Sequence, residues 1–196
     1  RNAELIDEVY LNTESEQLGR FGEDLGINYL KRPEALAADD IVLDQLTNFF
    51  LEQVDADIIG MVNPVCPLTT SEDIDNAIRY YRENDCDTLI AARCEQLHAF
   101  MGDRPLNFDT SKMIPMTQDL EPVKLVSWNF CFWNPQVFRK SFAEKGCGVF
   151  SGKVALFPVD KLKAIKISEE SDFQIASAIM KSKEQDGGIE FFKIPK

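Results

Sequence analysis

The sequence predicts a three-layer, doubly wound α/β domain built on a mostly parallel sheet. Three observations carry that prediction. Short apolar runs alternate with amphipathic stretches between residues 7 and 93, the amphipathic stretches open on capping side chains, and no internal repeat interrupts the rhythm. Strands alternating with helices imply parallel pairing through right-handed crossovers, with helices covering the sheet. The 196 residues suit one domain of ordinary size.

The elements follow in chain order. Residues 2–6 read as the end of a helix running into a strand over 7–11, apolar at Val9 and Leu11. Asn12, Thr13, Glu14 and Ser15 offer N-capping oxygens and early acidic charge. Leu18, Phe21 and Leu25 then recur at i, i+3 and i+7, and Gly26 is placed to end that helix. A short strand over 27–30 leads into Lys31-Arg32-Pro33. The next helix starts near Asp39 or Asp40 and carries Ile41, Leu43, Leu46, Phe49, Phe50 and Val54. A strand over 56–62 enters a corner with two prolines, Asn63-Pro64-Val65-Cys66-Pro67, and Thr70 or Ser71 caps the helix behind it. Residues 87–93 form a further strand. In open α/β sheets ligands lie outside the carboxyl ends of strands, so the corner is a candidate floor for a binding site. It serves equally well as an ordinary strand-to-helix connection.

Beyond residue 93 the rhythm breaks. Residues 94–133 read as an excursion, with turn clusters at Gly102-Asp103-Arg104-Pro105 and Asn107-Phe108-Asp109 and an aromatic strand over 124–133. Residues 138–142 suit a short helix, 164–167 a final strand of the sheet, and 171–183 a last long helix with Phe173, Ile175, Ala176 and Ile179 on its apolar face.

Composition narrows the function classes. Hydrophobic residues at 44% and charged residues at 28% are the balance of a soluble globular chain, and fourteen phenylalanines promise a substantial core. No apolar run approaches the ~20 residues that span a bilayer, and no signal peptide is visible, so no membrane partner is expected. Five scattered cysteines without a CxxC pattern suggest reduced thiols in cytoplasm. A single histidine, His98, argues against a His-based zinc site. The net charge of −12 argues against nucleic acid or an anionic membrane as partner, while leaving room for a small anion held by a local cluster of donors. The cysteines, Cys66 included, read as small buried hydrophobes, because no base lies near them in sequence.

Several segments, in this order, resemble the acylneuraminate cytidylyltransferase family, the CMP-sugar-acid synthetases of the nucleotide-diphospho-sugar transferase fold. Arg32-Pro33-Glu34-Ala35-Leu36-Ala37-Ala38-Asp39 is similar to the family's RPxxLAxD segment, and Asn63 to Ile74 to its QPTSPLRTxEDI segment. Arg104 to Asp109 and Thr117 to Pro122 resemble a branch with PLNxD and TQDLEP. Ser127 to Phe132 stands where the family has RxNGAIY, and Ile165 to Ser168, with Asp172 to Ala176 behind, where it has IDID and D-x-x-x-A.

The resemblance implies an enzyme that couples CTP to a nonulosonate-type, sialic-acid-like sugar acid and releases pyrophosphate, for cell-surface glycans such as lipopolysaccharide. It implies Mg²⁺ as cofactor, CTP and an anionic sugar acid as partners, and a homodimer formed through the 94–133 excursion. By the same resemblance Arg32 and Cys66 meet the nucleotide, and Asn63, Gln118 and Asn129 meet the sugar. The plainer readings stand beside these: a surface Arg before a turn, a strand residue at a bend, a solvated loop Gln.

The departures from the family fall on the chemistry. Its opening strand, basic phosphate loop and first helix have no counterpart in these 196 residues, and the residues before Arg1 are expected to supply them. Lys166 and Ser168 stand at the family's two metal-holding aspartates, Leu43 where a hydroxyl faces the nucleotide, and Ser127 where an Arg faces the sugar carboxylate. Lys166 then becomes the candidate catalytic group, a fixed cation beside the α-phosphate, or else a strand-end lysine in solvent. No metal-ligating residue is assigned. A degenerate member binding a nucleotide or a protein partner, or a nucleotidyltransferase for another sugar, are the alternative readings.

Overall fold

Local capping sets where the helices begin in the computed structural model, which describes residues 2–184. Ser15 accepts the Leu18 N–H at 3.3 Å and starts α1 (Glu16–Asp24), as the sequence indicates. Thr70 accepts the Asp73 N–H at 3.4 Å while the Asp73 carboxylate takes the Thr70 N–H at 2.9 Å, a reciprocal cap that opens α3 (Ser71–Glu83). The helix α2 spans Leu43–Gln53, later than residue 39 or 40, because residues Glu34–Ala37 close into a separate 3-10 turn. Pro135 at its first turn and Gly146 in the left-handed conformation (φ 74°) bound α4 (Pro135–Lys145).

The chain divides into two compact units. The first comprises Arg1–Val62, Thr70–Ile90 and Phe130–Phe157; the second comprises Asn63–Thr69, Ala91–Asn129 and Pro158–Lys196. In the first unit, β1 (Tyr10–Thr13) and β2 (Asn28–Lys31) pair in parallel, Tyr10 opposite Asn28 and Thr13 opposite Lys31. The helix α1 lies against this pair through its glycines: a Cβ at Gly19 would come within 2.5 Å of the Tyr29 ring. A side chain there would push the helix off the strands.

A four-stranded sheet has the order β3-β7-β4-β8, with β3 at Ile59–Val62, β4 at Thr88–Glu95, β7 at Val123–Trp133 and β8 at Val154–Pro158. The strand β7 runs antiparallel to β3, Ile59 opposite Trp133 and Val62 opposite Phe130, so the sheet is mixed. Flanking bonds show that β8 follows the direction of β4: Asp87 N–H meets Lys153 C=O at one end, and Val159 N–H meets Ala92 C=O at the other. Leu89, Ile90, Phe130, Cys131, Phe132, Trp133 and Phe138 are fully buried or nearly so, the continuous apolar pattern of strands covered on both faces.

Further expectations need correction. Residues 2–6 form no helix, and the first strand begins at Tyr10, not at residue 7. Residues 164–167 are not a strand; the last strand of the sheet is β8, which precedes them. The 164–167 stretch carries apolar and charged side chains like a strand, but the Ala164 and Ile165 N–H groups bond back to the Asp160 and Leu162 carbonyls in turns, and the Ile167 N–H meets the Val65 carbonyl at 2.8 Å without a ladder around it. The α4 helix is also longer than residues 138–142, because Asn134 caps it with bonds from the Gln136 and Val137 N–H groups.

The second unit holds the excursion. A two-stranded hairpin, β5 (Phe100–Met101) with β6 (Arg104–Pro105), turns at Gly102 with φ 61°. Asn107 ties it together, donating to the carbonyls of Leu97 and Glu121 at 2.9 Å each and accepting the Ala99 N–H at 3.1 Å. His98 sets a ring nitrogen 3.0 Å from the Pro115 carbonyl and packs edge-on against Phe108. Helix α5 covers Glu170–Glu184.

Candidate functional site

The corner after β3 is built by Asn63. Its side-chain oxygen accepts the Val65 N–H at 3.3 Å and its carbonyl accepts the Cys66 N–H at 3.1 Å, a compact turn that lets both prolines sit without a lost ladder bond. The Cys66 carbonyl then accepts the Thr69 N–H at 3.2 Å. Cys66 itself is buried, and burial pushes its thiol up while the nearby Lys166 ammonium partly offsets the shift. A raised, buried thiol is a packing group and a poor nucleophile.

Asn129 closes the corner from β7. It is fully buried, and its amide donates to Thr69 Oγ1 at 2.9 Å and to the Lys163 carbonyl at 2.7 Å. The Asn63 N–H meets the Asn129 carbonyl at 2.9 Å. Three stretches of the second unit therefore converge on one side chain: the 63–69 corner, the last residues of β7 in this unit, and the segment before α5. Among the described residues Asn129 Oδ1 is buried with no hydrogen-bond partner.

Lys166 lies on that converging segment, exposed at its side chain. It stands within electrostatic reach of Cys66 and also lines a cavity of about 300 Å³ with Arg93, Ser127, Trp128, Leu125 and Ala164. The structure thus brings Asn63, Cys66, Asn129 and Lys166 into one neighbourhood of the second unit. Gln118 lies elsewhere in that unit, on the 3-10 turn Thr117–Asp119, exposed, with its carbonyl accepting from Gln96 at 2.8 Å.

Arg32 belongs to the first unit, just past β2. Its guanidinium pairs with Glu14 through Nη2, and its Nε is buried with no partner among the described residues. The Glu14 N–H bond and then the Arg32 contact hold the Glu14 carboxyl below its usual range. Arg93 and Ser127 carried no site assignment from sequence: Arg93 reads there as the end of a strand and Ser127 as a departure from a motif. What singles out Arg93 is the cavity it shares with Ser127, and no local pattern encodes that cavity.

Near the start of α5, the Asp172 carboxylate takes the Ser168 N–H at 2.9 Å and the Glu169 N–H at 3.1 Å. It works as the helix cap. Among the described residues no group of three or more His, Cys, Asp or Glu side chains is arranged to hold a metal ion. No helix is long and apolar enough to cross a membrane among them.

No family model matches the chain. Over 93% of its length it is 23% identical to the post-translational flagellin modification protein B of Campylobacter coli, spanning 81% of that protein. Over 92% of its length it is 22% identical to the N-acylneuraminate cytidylyltransferase of Escherichia coli O18:K1:H7, of which it spans 44%. Among solved structures, a CMP:2-keto-3-deoxy-manno-octonic acid synthetase complexed with CTP superposes with a TM-score of 0.61 at 10% identity, covering 93% of this chain and 84% of that one. The chain therefore has the α/β fold of the nucleotide-diphospho-sugar cytidylyltransferases, and in sequence it resembles the acylneuraminate cytidylyltransferases along nine-tenths of its length.

Proposed function

We propose that this chain is part of a cytidylyltransferase that joins CTP to an anionic sugar acid of the nonulosonate type, releasing pyrophosphate, in the synthesis of a cell-surface glycan. The observation that carries the reading is the position of Lys166, which neighbours the Asn63–Cys66 corner and lines the cavity beside Arg93. In the proposed reaction a hydroxyl of the sugar acid attacks the α-phosphorus, the bond to the β-phosphate oxygen breaks, and pyrophosphate departs. Such transfers depend on alignment and on positive charge placed where negative charge develops. Lys166 supplies that charge as a fixed ammonium. The Asn63–Cys66 corner bears on the nucleotide and sugar, Gln118 and Asn129 on the sugar, and Arg32, in the first unit, on the nucleotide.

The donor set at residues 166, 168 and 172 does not suit Mg²⁺. A hard cation takes oxygen ligands, an ammonium at 166 repels it, and the Asp172 oxygen already holds two N–H groups. The same substitutions favour a second reading, a nucleotide- or partner-binding relative without turnover. A cytoplasmic homodimer completes the proposal.

Pyrophosphate release by the full-length protein, with CTP and a panel of sugar acids, tests it. Turnover is expected in the wild type and a loss of roughly 10²-fold or more in kcat for Lys166→Ala. Unchanged turnover in that variant removes the fixed-cation role. CTP binding without any turnover selects the second reading.

A further inference from the structure

We infer that Glu14 is a positioning residue for nucleotide binding. It holds the Arg32 guanidinium by one end and so leaves the Arg32 Nε and the Asn12 side-chain oxygen for the ligand. The inference deepens the proposed function and rests on it for the contact between Arg32 and the nucleotide. All three residues lie in the first unit, at the carboxyl ends of β1 and β2. Ligands of parallel strands lie outside those ends.

The register puts the three side chains on one face. Leu11 and Tyr29 stand opposite each other and turn towards α1, where Gly22 and Gly19 leave room for them. Successive side chains alternate, so Asn12 and Leu30 turn the other way, to the side where the Tyr10 ring meets Phe50 of α2. The Arg32 N–H bonds the Thr13 carbonyl at 3.0 Å and carries the ladder one step further. That step brings Arg32 level with Glu14, on the Asn12 side.

Both partners of the clamp are held at their backbones. Thr13 is buried and its Oγ1 accepts the Ser15 N–H at 3.2 Å, while Ser15 caps α1, so residue 14 is pinned from both sides. The Glu14 carboxylate is also held by its own backbone N–H. Pro33 keeps the Arg32 backbone extended, and a 3-10 turn follows at once.

The clamp leaves two polar atoms unmet. Arg32 Nε and Asn12 Oδ1 are each buried with no hydrogen-bond partner among the described residues. They are a donor and an acceptor on neighbouring rungs of one face, and a bond between them would satisfy both. The Nη2 contact turns the guanidinium to Glu14 instead. Unmet buried groups are costly, and a nucleotide, with donors as well as acceptor oxygens, meets both. The next pair along shows the contrast. Lys31 meets Glu16 at 2.6 Å with side chains 59% and 62% exposed, an ordinary surface bridge, whereas Arg32 is 19% exposed.

Charge and position predict opposite signs. Removing a carboxylate beside a bound polyanion tightens binding by charge alone, and removing a clamp weakens it. Calorimetry with CTP on the full-length protein reads the difference, with urea unfolding to show that each variant is folded. Glu14→Ala should weaken CTP about tenfold, and Glu14→Gln, which keeps an oxygen for Nη2, should stay within about twofold of the wild type. Arg32→Ala should weaken CTP about tenfold or more, and adding Glu14→Ala to it should cost nothing further, since the clamp acts only through its arginine. Glu16→Ala breaks the neighbouring surface bridge and should leave CTP affinity unchanged. Affinity unchanged or raised in folded Glu14→Ala overturns the inference, and so do losses that add in the double variant; Arg32 keeps its nucleotide role in either case if its own variant is weak. Unchanged affinity in Arg32→Ala overturns the inference and the Arg32 assignment together, and leaves the cytidylyltransferase reading to pyrophosphate release. A wild type that does not bind CTP overturns the inference and that reading alike.

Discussion

Asn129 shows how one side chain can serve packing and chemistry at once. Its amide nitrogen bonds Thr69 Oγ1 and the Lys163 carbonyl, fixing the corner and the segment that carries Lys166, while its Oδ1 stays buried without a partner among the described residues. Truncation to Ala removes both of these amide bonds from a fully buried position. We expect Asn129→Ala to lower stability by about 2 kcal/mol, read from the urea midpoint, on the usual cost of 1–3 kcal/mol for a stranded polar group. It should weaken acid binding as well, since Lys166 loses its anchor three residues upstream. An unchanged midpoint would mean that the corner is held by its backbone bonds alone. From sequence Asn129 was legible as a residue of interest through its motif, but its burial was not, because a strand position does not reveal what packs above it. Arg93 was illegible for the opposite reason: its strand is visible, and the cavity it lines depends on residues 34 and 73 positions away.

At the scale of elements, the helices were the legible part, since caps and 3.6-residue periodicity are written locally. The strands were harder. Val154 to Pro158 follows a turn signal at Ser151-Gly152 but has no clean alternation, and it ends in a proline, which marks an edge or a strand end. Residues 164–167 imitate a strand because Ile165 and Ile167 flank a lysine, yet backbone turn bonds back to Asp160 and Leu162 set their path. A further tie was invisible in sequence: Asp75, on α3 and buried, accepts the Glu4 N–H at 3.0 Å and the Leu5 N–H at 2.9 Å. The Glu4 bond is the largest influence and lowers the carboxyl below its usual value of 3.8; burial opposes it, and the Leu5 bond and Arg79 add to it. A depressed carboxyl contributes stability that is present above its unfolded pKa and is lost as pH falls through the lower folded value. Urea midpoints taken near about pH 5 and about pH 3 should therefore fall further in the wild type than in Asp75→Asn, which has no charge to lose. Equal acid sensitivity in the two would place the acid response elsewhere.

The whole molecule carries a strongly negative charge and a patch that charge does not explain. Met113 is 93% exposed and Ile114 67%, with Met116, Met101 and Phe100 also more than half exposed, all within the excursion. Flexible thioethers and an exposed aliphatic side chain in one stretch are the composition of an adaptable interface. The occupant that fits the resemblance is a second copy of the chain, and that pairing must overcome repulsion between two bodies of net charge −12. Salt screens such repulsion over roughly 10 Å at about 0.1 M, while apolar contact is left intact. Association should therefore tighten as ionic strength rises from a few millimolar to physiological, the reverse of an interface held by ion pairs. Sedimentation velocity across protein concentration should show a monomer–dimer equilibrium that shifts towards dimer with salt. Met113→Glu with Ile114→Glu should return it to monomer without changing the urea midpoint, because both side chains are solvent-facing in the single chain. A monomer that is independent of concentration at every salt level would rule out the pairing. A dimer that persists in the double variant would move it to another face of the molecule.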